Sequence, residues 1–386
     1  MGAATKTRFL FVVRGAEAYG TARKLSGLMR NLVERGYEVD LYAFGAGSFV
    51  DGARANSKIG IHIDDRQPTR FVGAGMARLL TFARTFAGSV GLARRLSAYL
   101  RQNTYTAVVF CEHGLLLSIG LAARLNRVKA FWLMPNLVSG DYPLDINRRI
   151  YGYAFRRLDV VPIANSAATL ESLGRAARFG EKIDLGVDPA ELGLADPPPP
   201  AAPQPPFTLL VMARLDPSKG QLLLLRAMLS NPAFADLRLV LCGGPIDSEY
   251  AEAIRAELRC ASAEDRVELL PRVDDPVPYF LACDVVASTR LDPEPFGLAI
   301  VEAMFAGKPV LTHASGGPKD IVVDGVTGWH IGAPTLEAFA DGLARMLSDQ
   351  GRWREMGLSG RRRAESHYTL TSMTSAFLDI VSRRLA

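Results

Sequence analysis

The sequence predicts an α/β protein of two domains, each a parallel sheet flanked by helices. Three observations carry this. Short apolar runs alternate with stretches of helical period, the pattern of strand–helix–strand units in a parallel sheet. At 386 residues the chain is longer than one ordinary core organises and fits two. Asp196–Phe207 holds seven prolines in twelve residues, too many to join a helix or sheet, and reads as a semi-rigid surface linker. Residues 1–195 are therefore expected to form the first domain, 196–206 the linker and 207–366 the second domain. The linker reads first as a tolerated insertion, and it also suits a hinge.

In the first domain, Arg8–Val13 is a buried strand and Arg14–Gly20 the loop after it. Thr21–Glu34 follows as a helix with Leu25, Leu28, Met29, Leu32 and Val33 on one face, stopped by Gly36 before the strand Tyr37–Phe44. The loop lacks the Gly-x-Gly-x-x-Gly of dinucleotide-binding proteins, which argues against a nicotinamide-dependent oxidoreductase. Between Asp65 and Glu112 there is no acidic residue but seven arginines, interleaved with bulky apolar residues. At helical spacing, residues 66–101 read as basic amphipathic helices. These can lie on an anionic membrane surface, or pack their apolar face on the core with the arginines in water. Dispersal among aliphatics makes the segment a poor nucleic-acid surface.

Thr106–His113 is the next strand, with Glu112 and His113 at the end that faces the ligand crevice in parallel sheets. His113 is a candidate acceptor-site residue, or a hydrogen-bonded structural histidine. Lys129–Asn136 is another strand, Asp145–Leu158 a basic helix, and Asn165 and Ser166 are suited to cap the helix after Val160–Ala164.

In the second domain, Phe207–Ala213, Leu237–Cys242 and Val267–Val273 read as strands or strand–loop units. The chain is organised around the stretch from Ser288 to Val310. A loop with Pro293, Pro295 and Gly297 opens a short helix, Leu298–Phe305, stopped by Gly307 and Pro309. The amides of Phe296, Gly297 and Leu298 at that helix start form an anion nest backed by the helix dipole. Glu294 precedes it and Glu302 lies about one turn inside. Together these offer a hydroxyl acceptor, a phosphate site and a second hydroxyl acceptor, which suits a nucleotide sugar. Acidic residues near a helix start also serve only to stabilise its dipole.

Composition bounds the rest. With 48% hydrophobic and 22% charged residues the chain is ordinary globular protein, and no apolar run is long enough to span a bilayer. The start carries no signal-peptide core, and Cys111, Cys242, Cys260 and Cys283 are widely spaced beside apolar stretches. A cytoplasmic location, reduced packing cysteines and no structural metal are expected. Residues 1–185 carry 26 Lys/Arg against 14 Asp/Glu, and the remainder 19 against 26, so the first half suits an anionic surface or substrate.

Glu294–Glu302 resembles the Glu-x7-Glu motif of retaining glycosyltransferases of family 4, which have the GT-B fold of two facing Rossmann-like domains with a donor cleft between them. Arg214-Leu-Asp-Pro-Ser-Lys219-Gly220 resembles that family's diphosphate clamp, and Gly316–Val322 and Asp324–Gly328 its following elements. Together they cover most of residues 207–330 in the family's order. The resemblance implies transfer of a hexose-type sugar, with retention, from a UDP- or GDP-sugar to a saccharide or lipid-linked acceptor, in bacterial cell-envelope glycan or glycolipid synthesis. Glu294 would bind the transferred sugar, Glu302 the ribose, and Arg214 and Lys219 the diphosphate. No cofactor and no metal are implied, because the cations can do a metal's work. Residues 367–386 resemble the C-terminal helix that crosses back to the first domain. Where the family has a Gly-Gly pair, its second glycine falls on Gly20, and the first is replaced by Tyr19. Where relatives place a histidine near the reacting sugar, this chain has Met134, Pro135 and Asn136, so Asn136 is an acceptor-site candidate and no general base is named. The basic face suggests a peripheral position at the inner membrane. A nucleotide-sugar epimerase or a catalytically silent nucleotide-sugar-binding partner would use the same residues.

Overall fold

The computed structural model describes residues 7–386 apart from 16, 18, 67, 69–75 and 140–144. The chain divides into two compact units: residues up to Asp184 together with Met373–Ala386, and Leu185–Ser372. The second unit thus begins ahead of the proline-rich run. Pro200, Ala201 and Pro203 line a hollow with Asp284, Lys308, Trp353 and Arg354 of that unit.

In the first unit the strands are β1 (Arg8–Val13), β2 (Glu38–Ala43), β3 (Ile59–Ile63), β4 (Ala107–Phe110), β5 (Lys129–Met134), β6 (Val160–Ala164) and β7 (Glu181–Lys182). They form one parallel sheet in the order β3-β2-β1-β4-β5-β6-β7. The central strands β4 and β6 are buried along their whole length, which is why they read as unbroken apolar runs. Edge strand β3 alternates instead. Residues 76–102 form one 27-residue helix rather than several, and its Leu92, Leu96 and Leu100 pack at helical spacing on Leu10, Val108 and Trp132. Of the segment 66–101, residues 67 and 69–75 and the side chains of 76–87 lie outside the described residues. Phe377 of the C-terminal helix Leu370–Leu385 packs on Phe9 and Phe131, with ring centroids 5.8 and 6.1 Å apart.

The second unit holds β8 (Phe207–Met212), β9 (Leu237–Cys242), β10 (Val267–Leu270), β11 (Val285–Ser288), β12 (Val310–His313) and β13 (Gly328–Ile331). They are parallel, in the order β10-β9-β8-β11-β12-β13. The core gathers Leu209, Leu239, Val285, Leu311 and Trp329 from the sheet with Leu224, Phe339 and Leu343 from the helices.

Both sheets reverse their strand order once, between β1 and β4 and between β8 and β11. Loops that leave the C-terminal ends of such a strand pair run in opposite directions and open a crevice. The loops after β4, β8 and β11 carry His113, Arg214, Lys219, Glu294, Phe296 and Gly297. Among the described residues no helix is long and apolar enough to cross a membrane. Cys111, Cys242 and Cys283 are buried, but Cys260 is exposed at the end of the helix Glu249–Ala261, so it is not the packing residue expected.

Candidate functional site

At the switch point of the second unit, two loops are pinned to each other. After β8, the chain turns through Arg214, Leu215 and Asp216 into a short turn, Pro217–Lys219. Asp216 accepts from both the amide and the hydroxyl of Ser218, at 3.0 and 2.6 Å, and these bonds hold its carboxyl below the usual range. Gly220 then takes φ +71°, and a Cβ there would sit 2.2 Å from the carbonyl oxygen of Thr289. That carbonyl belongs to the loop after β11. Thr289 Oγ1 donates to the Lys219 carbonyl at 2.8 Å, and the Leu291 amide donates to Ser218 at 2.8 Å. Lys219 and the loop that leads to Glu294 are therefore tied together through their backbones.

Lys219 Nζ lies 2.9 Å from Glu294 Oε2, joining residues 75 apart in sequence. Both side chains are about one-fifth exposed. Arg290 Nη1 reaches the same oxygen at 3.4 Å. Arg214 is more open, with its guanidinium 3.5 Å from Asp216 and its carbonyl accepting from Gln221 at 2.8 Å.

The Glu294 backbone is clamped by the loop after β12. Its amide donates to Ser315 at 3.0 Å and its carbonyl accepts from Gly317 at 2.8 Å. Gly316, at φ +84°, leaves room for this: a Cβ there would stand 2.1 Å from the Glu294 carbonyl oxygen. Gly297 takes φ +109° and opens the helix Leu298–Phe305. The amides of Phe296, Gly297 and Leu298 have no protein acceptor among the described residues, so they remain available to an anion. Glu302, on the same helix, is buried.

This arrangement can bind a doubly charged phosphate through two cations and three amides, and can present a carboxylate to a hydroxyl beside it. Of the residues singled out from the sequence, Lys219 and Glu294 meet directly, while Arg214 lies on the loop after β8 and Phe296, Gly297 and Leu298 follow Glu294 on the loop after β11. The reading of residue types missed Arg290, because its four-residue separation from Glu294 spans a proline loop where spacing carries no geometry.

The other candidates lie in the first unit. Gly20 is not in the loop after β1 but in the first turn of the helix Tyr19–Glu34. The left-handed glycine of that loop is Gly15, at φ +101°, and Glu17 closes the turn by accepting from the amides of Arg14 and Gly15. Strand β4 ends at Phe110, so His113 opens a short turn beyond the strand and its ring is exposed. Glu112 pairs with Arg14 at 3.2 Å across the β1–β4 switch point. Asn136 is exposed in the bend after β5. Ser166 caps its helix through the Thr169 amide, as expected.

Two parallel-sheet units, of seven and six strands, with ligand-suited loops at both switch points define a GT-B architecture. Solved structures share it. The glycosyltransferase from Rickettsia africae superposes with a TM-score of 0.80 at 16% identity over 99% of both chains. Anabaena Alr3699/HepE in complex with UDP superposes with a TM-score of 0.76 at 20% identity over 98% of this chain and 100% of that one. Residues 195–363 match the family model of glycosyl transferases, group 1. The D-inositol 3-phosphate glycosyltransferase of Salinispora tropica is 32% identical over 193 residues, 48% of this chain and 40% of that protein. The GDP-mannose-dependent alpha-(1-6)-phosphatidylinositol monomannoside mannosyltransferase of Mycolicibacterium smegmatis is 28% identical over 183 residues, 46% of this chain and 48% of that protein. These alignments span less than half the length of either relative. The similarity to group 1 glycosyl transferases thus covers residues 195–363, less than half of the chain.

Proposed function

We propose that this chain is a glycosyltransferase that moves a hexose-type sugar, with retention, from a nucleotide-diphosphate sugar to a saccharide or lipid-linked acceptor. The observation that carries the reading is the Lys219–Glu294 contact between two pinned loops, one carrying Arg214 and the other the amides of Phe296, Gly297 and Leu298. As the glycosidic bond breaks, negative charge builds on the leaving diphosphate. Preorganised donors aimed at that charge lower the barrier, and each commonly contributes about 2.7–4 kcal/mol. Glu294 then binds hydroxyls of the transferred sugar, and Glu302 the ribose.

Metal-independent transfer follows from the same charges. Two cations already face the Glu294 carboxylate, which opposes binding of a divalent ion there. The donor is a UDP- or GDP-sugar. The Anabaena neighbour is described in complex with UDP-glucose and the Mycolicibacterium relative as GDP-mannose-dependent, which supports both as first candidates. Gly20 contributes to donor binding, and His113 and Asn136 to the acceptor site. The basic charge of residues 1–185 favours an anionic, cytoplasmic membrane face where a lipid-linked acceptor of the cell envelope is presented. In the segment 66–101, Leu92, Leu96 and Leu100 pack on the core and Arg66 and Arg95 pair with Asp64, so this part of it takes the core-packed form and not the membrane-facing one.

The test is turnover in the presence of a chelator. UDP-, GDP-, ADP- and dTDP-sugars are supplied with and without a mixed pool of lipid-linked saccharides. Release of one nucleoside diphosphate coupled to a glycosylated, anomerically retained product is the expected result. A changed sugar still on its nucleotide would make the chain an epimerase, and tight binding with no release would make it a silent partner.

A further inference from the structure

We propose that Arg290 is a positioning residue that takes over the Glu294 carboxylate when a diphosphate engages Lys219. This rests on the reading of the site given above. Lys219 and Arg290 face the same oxygen, Glu294 Oε2, at 2.9 and 3.4 Å. The closer cation is one of the two that a diphosphate needs. A lysine ammonium is a compact point charge, so drawing it to phosphate withdraws it from the carboxylate. Glu294 would then be a largely buried anion with its cation removed, which is costly unless another donor takes its place.

Arg290 is placed to do this. Its Nε is buried and makes no hydrogen bond among the described residues. Its Nη1 contact is the longer of the two, so the guanidinium has both donor capacity and room to close. A modest rotation brings a second N–H to the carboxylate and makes the contact bidentate. The backbone is already fixed for it. The His313 ring nitrogen Nδ1 lies 2.7 Å from the Arg290 carbonyl oxygen, and the neighbouring Thr289 and Leu291 are bonded to the Lys219 turn. Only the side chain has to move. Glu294 Oε1 has no protein partner among the described residues and stays available for a sugar hydroxyl.

In this exchange Arg290 acts through Glu294 and does not touch the phosphates. The two roles are separated by binding of UDP and GDP, nucleoside diphosphates without a sugar, to four variants by titration calorimetry. Arg290→Gln is expected to weaken the diphosphate that the wild type binds by about tenfold, because Lys219 stays committed to Glu294. Arg290→Lys is expected to remain within about threefold of the wild type. Glu294→Gln, which frees Lys219, is expected to bind no more weakly than the wild type. In that background Arg290→Gln is expected to cost less than about twofold. Circular dichroism of the single variant confirms its fold, and recovery of binding in the double variant would show that a chain carrying Arg290→Gln forms the donor site. An equal loss from Arg290→Gln in both backgrounds would overturn the proposal and make Arg290 a direct phosphate ligand. No loss in either would overturn it as well. Binding of neither nucleotide by the wild type would remove the donor reading itself, and the proposal with it.

Discussion

Replacing Gly316 by alanine tests whether the loop after β12 sets the position of Glu294. The residue sits at φ +84°, where a side chain costs about 1 kcal/mol, and the added Cβ would fall 2.1 Å from the Glu294 carbonyl oxygen and 2.8 Å from its amide nitrogen. Both neighbours are backbone, so the loops must part. Parting strains the Glu294–Ser315 and Gly317–Glu294 bonds, each worth about 1 kcal/mol. The loss is about 3 kcal/mol in all. For a unit of this size about 1 kcal/mol lowers the melting temperature by about 2–4 °C, so the shift should be about 6–12 °C. Gly325 provides the control. It has a similar φ, +73°, but nothing within 4 Å of its Cβ, so Gly325→Ala should cost only the conformational term, about 2–4 °C. Thermal unfolding followed by circular dichroism compares the two. Equal melting temperatures for Gly316→Ala and Gly325→Ala would refute the clamp.

Three further outcomes follow from other parts of the molecule. Asp64 is buried, which alone would raise its pKa, but hydrogen bonds from Arg95, Arg66 and Tyr42 outweigh this and bring it to about 2. A depressed carboxyl contributes stability that is fully present above its unfolded value, near 3.8, and is lost as pH falls through about 2. The stability gap between wild type and Asp64→Asn should therefore narrow between pH 4 and about pH 2, and a constant gap in acid denaturation would contradict the network. Of the four cysteines only Cys260 is exposed, and burial pushes the Cys283 thiol up to about 12, so a thiol reagent should titrate one group in the native protein and four in denaturant. Lys308 is buried with its ammonium on the carbonyls of Leu281 and Cys283, at 2.9 and 2.7 Å. Lys308→Met should strand both acceptors and destabilise the second unit by about 2–5 kcal/mol in thermal unfolding, and a loss under about 1 kcal/mol would show that water replaces the ammonium.

Local pattern made much of the fold legible. Arg8–Val13, Leu237–Cys242 and Leu298–Phe305 stand in the structure with the bounds read from the sequence: the first is an almost fully buried apolar run, the second is apolar apart from the exposed Arg238, and the short helix starts and stops on its glycines and prolines. Ends governed by tertiary contacts were less legible. Gly20 was assigned to a loop that closes earlier, since Glu17 satisfies the Arg14 and Gly15 amides and lets the helix begin at Tyr19. Strand β7, two residues long, carries no periodic signal at all. At the site, the residue types on each loop were readable. Their meeting across 75 residues of sequence was not, because it depends on β8 and β11 being neighbours in the sheet. Arg290 remained hidden for a local reason: it shares a proline-containing loop with Glu294, where a four-residue spacing fixes no geometry.

The most direct measurement is a thermal-shift panel of UDP-, GDP-, ADP- and dTDP-sugars, without metal, on the wild type and on Arg214→Ala. A ligand at about 100 times its dissociation constant adds roughly 2.7 kcal/mol, about 5–11 °C for a unit of this size. One nucleotide class should stabilise the wild type and leave Arg214→Ala unmoved. Stabilisation of both proteins to the same extent would place the diphosphate away from the loop after β8, and no stabilisation by any of the four would contradict a nucleotide-sugar site built on Arg214, Lys219 and Glu294.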